Sequence, residues 1–399
     1  MIETPLSARV NELEESQTIG MAKLCRELVE KGFDVINLSL GEPDFDTPDY
    51  IRDAAKKAID EGYTHYPPVA GYGELRKVIS EKFKRENNLD YAPAQIVVST
   101  GAKQAIANAV LSLVNKGDEV LIPKPYWVSY IEIVKLAEGK AVFIPSTIES
   151  DFKITPQQLE KAITPKTRMF MFSSPCNPTG SVYTKEELAG LAKVFEKHPD
   201  VYILSDEIYE HINYIGQHET IAQFSSIRDR VIVVNGVSKS FAMTGWRIGY
   251  IGASLQIAQA CDKMQGQFTS GASSISQKAA EAALANGHDA TDRMRDAFLR
   301  RRNLMLSLLR KIPNIKVNEP KGAFYVFPEV SFYLGKSDGE KKINNVNDLC
   351  MYLVHKAHVS TVPGNAFGED KYIRISYSAS DEIIQKAMER IHSALAALK

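Results

Sequence analysis

What the sequence lacks narrows its chemistry before any motif is considered. Its 48 Lys and Arg residues nearly balance 49 Asp and Glu, for a formal net charge of -1, so no basic excess advertises a nucleic-acid partner. No stretch approaches the roughly 18 consecutive apolar residues of a membrane span, and the opening MIETPLSARVNELEES has no apolar core of export-signal length. A soluble, unprocessed, cytoplasmic chain is therefore expected. The four cysteines, Cys25, Cys176, Cys261 and Cys350, show no CxxC or paired spacing. That argues against both a disulfide framework and a zinc site and fits a reducing compartment. His355 and His358 form an HxxH pair without a carboxylate or Cys at ligand spacing, so they read as a polar helix face and no metal is expected. Neither a GxGxxG fingerprint nor a GxxxxGK[ST] loop is present, which removes the common dinucleotide and nucleotide cradles.

What is present is 399 residues of ordinary globular composition, 44% apolar, long enough for a large domain and a smaller one. Over 96–254, short β-branched runs alternate with helical stretches: IVVST, EVLIP, AVFIP, MFMFSS, VYILSD and VIVVNG. These runs are continuously apolar, which predicts strands buried on both faces of a mainly parallel sheet covered by helices, an α/β fold. One of the helices is announced by Thr184 with Glu187 three residues on, followed by an apolar face of Leu188, Leu191, Ala192 and Phe195. The last hundred residues change character. A basic helix around FLRRRNLMLSLLRKI, strands at AFYVF and YIRISYS, and a closing helix with Ile383, Ile384, Ala387, Met388, Ile391 and Leu395 on one face suggest a smaller α+β domain.

In an α/β sheet, ligands gather at the carboxyl ends of the strands. Gly101, Ala102 and Lys103 follow IVVST and open a helix whose N-terminus suits a phosphate. SSPCNPTG brings Asn177 after MFMFSS, SDEIYE brings Asp206 and Tyr209 after VYILS, and Lys239 follows VIVVNGVS. An amine, a carboxylate, a phenol, an amide and a phosphate cradle on one rim match the demands of pyridoxal 5'-phosphate.

At this point the chain resembles the fold type I, class I aminotransferases, in the aspartate and aspartate/prephenate branch of bacteria and plant plastids. SLGEPDFDTP, HYPPVAGYGELR, STGAKQAI, PYWVSY, SSPCNPTGSVY, SDEIYE, SKSFAMTGWRIGY and YIRISYS stand in that family's order, from about residue 5 to 398. The resemblance implies a large cofactor-binding domain over 48–295 and a small domain made of 1–47 and 296–399. It implies that Lys239 holds the cofactor as a Schiff base and then moves the substrate Cα proton, that Asp206 pairs with the ring nitrogen, and that Tyr209 and Asn177 bond the ring oxygen. Trp127 would stack on the ring, with Gly101, Ala102, Lys103 and Arg247 at the phosphate. Tyr66 would reach the phosphate of a neighbouring subunit, which implies a homodimer with shared sites. Arg374, with Gly41 nearby, would bind the substrate α-carboxylate. No arginine lies in DKMQGQFTSGASSISQ, where relatives of animal type carry one for the second carboxylate; Lys103 takes that role in this branch, and Thr18 matches a threonine associated with prephenate use. The implied reaction moves an amino group between L-aspartate and 2-oxoglutarate, giving oxaloacetate and L-glutamate, with prephenate as a second acceptor. The alternative is an aminotransferase for another donor, such as an aromatic amino acid or alanine.

Each residue also has a plainer reading. Asp206 and Tyr209 would serve as well to cap a helix after their strand, Trp127 to fill core beside Tyr126 and Tyr130, and Thr18 to cap the helix of MAKLCRELV. Lys103 would face water from a first helical turn, Arg374 would pair with a carboxylate across its sheet, and Tyr66 would pack in a turn. Lone Lys239 would be a solvated lysine.

Overall fold

A computed structural model describes residues 6–287 and 289–399; the first of the family-like residues, Pro5, lies outside that range. Strand β1 (Ile36–Asn37) belongs to the C-terminal half of the structure and is taken up below. Seven further strands, β2 (Ile96–Ser99), β3 (Glu119–Pro123), β4 (Lys140–Ile144), β5 (Thr167–Ser173), β6 (Tyr202–Asp206), β7 (Val231–Gly236) and β8 (Gly249–Gly252), form one sheet in the order β2-β8-β7-β6-β5-β3-β4. The pairs from β4 through β7 are parallel, whereas β8 runs antiparallel to both β7 and β2. The pleat sends alternate residues to opposite faces: Val231 and Val233 join Phe170, Phe172 and Ile203 in one apolar cluster, while Ile232 and Val234 join Met169, Met171 and Leu204 in another. That is the two-sided burial expected from continuous apolar runs, and the mainly parallel α/β sheet is as expected.

Two strands depart from expectation. β4 is an edge strand with Lys140 and Phe143 exposed; Phe143 finds cover by stacking on Tyr126 at 5.2 Å rather than in the core. The sequence reading places no strand at 249–252, because two of its four residues are glycine, a weak strand former. Both glycines are required by close approach: a Cβ at Gly249 would collide with the backbone of Gly101 and Ala102, and one at Gly252 with the rings of Tyr91 and Phe83.

The helix after β2 runs Ala102–Leu113, and the helix Lys185–Glu196 begins at the predicted cap, where Thr184 Oγ1 accepts from Glu187 N at 3.3 Å. In the C-terminal part, β9 (Tyr325–Val326), β11 (Val362–Pro363) and β12 (Ile373–Ser376) make a three-stranded antiparallel sheet, and β1 pairs in parallel with β10 (Val359–Ser360). The helices Asp289–Leu309 and Asp381–Ala396 pack here, so Met21 and Leu38 share a core with Phe298, Leu353 and Ile391. Ile383, expected on the buried face of the last helix, is 39% exposed, because the burial stripe runs through Ile384, Ala387, Met388, Ile391 and Leu395. His358 does not lie on a helix face either: at φ 53° it ends the helical segment, its ring 5.4 Å from Phe33. All four cysteines are free. Among the described residues no helix is long and apolar enough to cross a membrane.

One ion pair ties the segment after β1 to this core. The Arg301 guanidinium donates to both Asp44 oxygens, at 2.6 and 2.9 Å, and lies over the rings of Phe45 and Phe298. Arg301→Met keeps the packing but leaves Asp44 without its fork. A loss of about 2 kcal/mol is expected, read from the denaturant midpoint; an unchanged midpoint would mean that the fork does not hold the segment.

Candidate active site

The loops after β2, β5, β6 and β7 open on a common cavity of about 250 Å3, lined by Thr18, Gly41, Ala102, Lys103, Trp127, Asn177, Asp206, Tyr209, Lys239, Arg247, Tyr325 and Arg374 among others. Gly101 stands at the cap of its helix with φ +83°, and any Cβ there would strike the Arg247 guanidinium. The bare backbone of residue 101 is thus what lets an arginine lie over the start of the helix, where the N–H groups and the positive end of the dipole already favour an anion. Arg247 is itself held by Nη1 donating to Thr244 O at 2.8 Å. Lys239 and Arg247 both stand on the connection 237–248, a succession of turns that joins antiparallel β7 and β8, so one loop carries the two cations to the cavity.

Asp206 ends β6 on the cavity floor, 5% exposed. One oxygen accepts from Tyr130 Oη at 2.8 Å and the other from Ile208 N at 3.4 Å. No helix follows, so the capping reading fails: the chain turns at once, with Glu210 N donating to Glu207 O. Burial pushes the Asp206 carboxyl up to about 6 despite the bonds from Tyr130 and Ile208. Lys239 Nζ donates to Gly41 O at 2.5 Å. Burial lowers its ammonium to about 8; Glu42 opposes this, while Arg247 and Arg374 reinforce it.

Tyr209 Oη and Tyr325 Oη lie 2.7 Å apart, and burial raises the Tyr209 phenol well above its ordinary value. Arg374, on β12, is 2% exposed and has no carboxylate across its sheet. Its Nη1 donates to Asn177 Oδ1 at 3.0 Å and its Nη2 to Ser39 O at 2.5 Å, while Nε is buried without a partner. A guanidinium in this state, with its charge disfavoured by burial, is an anion receptor awaiting its anion. Trp127 meets Tyr130 edge-on at 5.5 Å. Lys103 points its Nζ over the Trp127 ring at 5.2 Å, and desolvation, then Arg247, lower its pKa. Thr18 is not a cap, since the helix Gln17–Glu30 starts after Ser16; it lies in the first turn and lines the cavity. Two expected site residues do not line the cavity: Gly101, which lies directly behind the Arg247 guanidinium, and Tyr66, which is 97% exposed and stands away from it.

Tyr130 and Tyr325 escape the sequence reading as site residues. Tyr130 stands three after Trp127 and reads as core; Tyr325 sits in AFYVF, where a strand pattern hides its hydroxyl. No local motif marks either one, because their contacts are with residues 76 and 116 positions away.

The family model for aminotransferase class I and II matches residues 33–391. The chain belongs to that family. It is a pyridoxal-phosphate-dependent aminotransferase, a transferase acting on amino and 2-oxo acids. The bifunctional aspartate aminotransferase and glutamate/aspartate-prephenate aminotransferase of Petunia hybrida is 49% identical over 100% of this chain and 84% of its own length. The aspartate/prephenate aminotransferase of Cereibacter sphaeroides is 46% identical, over 98% of this chain and 99% of its own. The crystal structure of the aspartate aminotransferase from Rhizobium meliloti superposes with a TM-score of 0.95 at 42% identity, covering 99% of this chain and all of that one. The fold type I architecture follows. The cavity of this aminotransferase fits its cofactor: an amine of lowered pKa, a buried carboxylate whose hydrogen-bond partners are neutral, and a glycine cradle under an arginine stand on one rim.

The buried acid makes a prediction for the cofactor-free protein. With a folded pKa of about 6 against an ordinary 3.8, the folded state holds a proton that the unfolded chain has released. Asp206 is therefore tolerated below pH 4 and becomes a burden as pH rises through 6. Asp206→Asn removes that burden, so the apo variant should exceed apo wild type by up to about 3 kcal/mol at pH 8, the gap closing toward pH 4. Urea denaturation across that range measures it, and a gap independent of pH would contradict it.

Proposed function

We propose that this aminotransferase exchanges the amino group between L-aspartate and 2-oxoglutarate, and accepts prephenate as a second oxo acid. The observation that carries the reading is that Lys103 lines the same cavity as Arg374 and Lys239, which offers a dicarboxylate one cation for each end with an amine in the same chamber. The names of the Petunia and Cereibacter relatives support it.

Pyridoxal phosphate, when bound, supplies an electron-withdrawing ring and carries the amino group between the two half-reactions. Arg247, Gly101 and Ala102 hold the phosphate, Asp206 keeps the ring nitrogen protonated, and Tyr209 and Asn177 bond the ring oxygen. Trp127 covers a ring face. Arg374 binds the substrate α-carboxylate bidentately, with its Nε the donor not engaged by the protein and Gly41 beside it. Lys239 Nζ, poised near neutrality, takes the proton from the substrate Cα, holds it and returns it within the same site. Lys103 receives the distal carboxylate, and Thr18, from the helix over the cavity mouth, contributes to admitting prephenate. Residues 48–295 form the cofactor-binding domain, and 1–47 with 296–399 form a small domain whose closure excludes water; the β1–β10 pairing across these two segments supports that division. Four free cysteines support a reducing, cytoplasmic setting.

Lys103→Ala should lower kcat/KM for aspartate by about 100-fold while leaving alanine within about threefold, the loss of one charged hydrogen bond. Equal losses for both donors, or a wild-type preference for alanine or phenylalanine, would remove Lys103 from this role and favour another donor. Tyr66, exposed and outside its own cavity, supports a homodimer in which it serves the partner's phosphate. Mixing inactive Tyr66→Ala and Lys239→Ala proteins under subunit exchange should restore activity up to about a quarter of wild type, since one site per mixed dimer is then intact; no recovery from verified mixed dimers would exclude shared sites.

A further inference from the structure

The turn that carries Asp206 and Tyr209 has a second face. The strand pleat that points Asp206 into the cavity sends Ser205 and Glu207 the other way. There, Glu207 is 1% exposed and its carboxylate is gripped from three directions. Ser205 Oγ donates to Oε1 at 2.8 Å, Thr220 Oγ1 donates to the same oxygen at 2.6 Å, and His218 Nε2 lies 2.9 Å from Oε2. The Glu207 backbone is fixed as well: its N–H donates to Val234 O at 2.9 Å, and its carbonyl accepts from Glu210 N at 2.9 Å, closing the turn around Tyr209. Glu210, also buried, contacts Lys82 Nζ and accepts from Asn87 Nδ2 at 3.0 Å. The ligand atoms of Glu207, Glu210 and His218 lie within 4.8 Å of one another, but the Lys82 ammonium already matches Glu210, so the cluster does not call for a metal.

Neither Glu207 nor Glu210 has the cavity within reach of the contacts just described. A buried, charged network is also a poor way to gain stability, since apolar side chains of similar volume serve as well or better. What it provides is a fixed place. Three donors converging on one carboxylate leave little freedom to residue 207, and the cavity side of the same short turn carries the acid, Asp206, and the phenol, Tyr209, whose reach to the cofactor must be held within a fraction of an ångström.

We propose that Glu207, clamped by Ser205, His218 and Thr220, is a positioning residue for transamination, setting the Asp206 carboxylate and the Tyr209 hydroxyl from behind. The inference rests on the roles given to Asp206 and Tyr209 under Proposed function. It is tested on the full-length holoenzyme with Glu207→Ala, Glu207→Gln and Thr220→Val, beside Leu191→Ala, a buried core change in the helix Lys185–Glu196 that lowers stability only. Glu207→Ala should lower kcat about 10- to 100-fold with KM for aspartate within about threefold. It should also shift the pH midpoint of the bound cofactor's visible absorbance, and the pH at which Asp206 titrates in the apo protein. Glu207→Gln, which keeps the shape and most of the hydrogen bonds, should recover most of kcat, and Thr220→Val should fall between. If Glu207→Ala does not fold, Thr220→Val decides. Variants that lose thermal stability as Leu191→Ala does, yet keep wild-type kcat and midpoints, would overturn the proposal. Asp206→Ala is measured in parallel: retention of full activity there would bring down the underlying assignment, whereas its loss with normal Glu207 variants would bring down the positioning role alone.

Discussion

The close approach of β8 to the first turn of the helix Ala102–Leu113 is the constraint on which the site depends. Residue 249 has no side chain, so the backbone of Gly101 and Ala102 lies where a Cβ would have been. That contact brings the end of β2, the head of its helix and the turn between β7 and β8 to one place. Residue 101, in turn, has no side chain where the Arg247 guanidinium rests. Two glycines on facing segments thus create a shallow positive seat from backbone and a single arginine. The cost is that β8 must run antiparallel in a sheet that is otherwise parallel through its centre.

Around that seat the charge is unbalanced. Lys103, Lys239, Arg247 and Arg374 all line the cavity, against the single carboxylate of Asp206. Burial lowers three of these cations: the amine of Lys239 falls to about 8, with Arg247 and Arg374 adding to the shift, Lys103 is lowered by burial and then by Arg247, and Arg374 by burial alone. A chamber lined in this way favours anionic ligands. A phosphate and one or two carboxylates supply the counter-charge that such a chamber favours. Asp206 is the counterpart, an acid whose buried position favours either a proton or a cationic partner.

The parallel sheet was legible because continuous apolar runs have few other uses in a chain of this length, and the capped helix at Thr184 because its signal is local. Lys239, Asp206 and Asn177 stood out because the strand-end rule gathers them from separate motifs onto one rim, whereas Arg247 came only with the family resemblance. β8 was hidden by the glycines that make it possible, and the exposed β4 looked like a core strand because edge position is a property of sheet order rather than of the run itself. Tyr130 and Tyr325 were unreadable for a related reason: a buried hydroxyl reveals its partner only after the chain has folded. The rear clamp on Glu207 was invisible too, since SDEIYE offers five polar side chains and no rule in the sequence says which of them face the cavity.

β4 has a consequence beyond the site. It closes one side of the large sheet with Lys140 in solvent and with the Phe143 ring flattened against Tyr126, the Lys124 ammonium 5.7 Å away. An unpaired strand is a template on which another chain can add itself, and five residues opening on an exposed lysine, with the one exposed aromatic stacked on a neighbour, make a poor template. The strand whose apolar run reads as core in the sequence is therefore guarded in the folded protein, by its lysine and its stacked ring, against growing sheet upon sheet at its open margin.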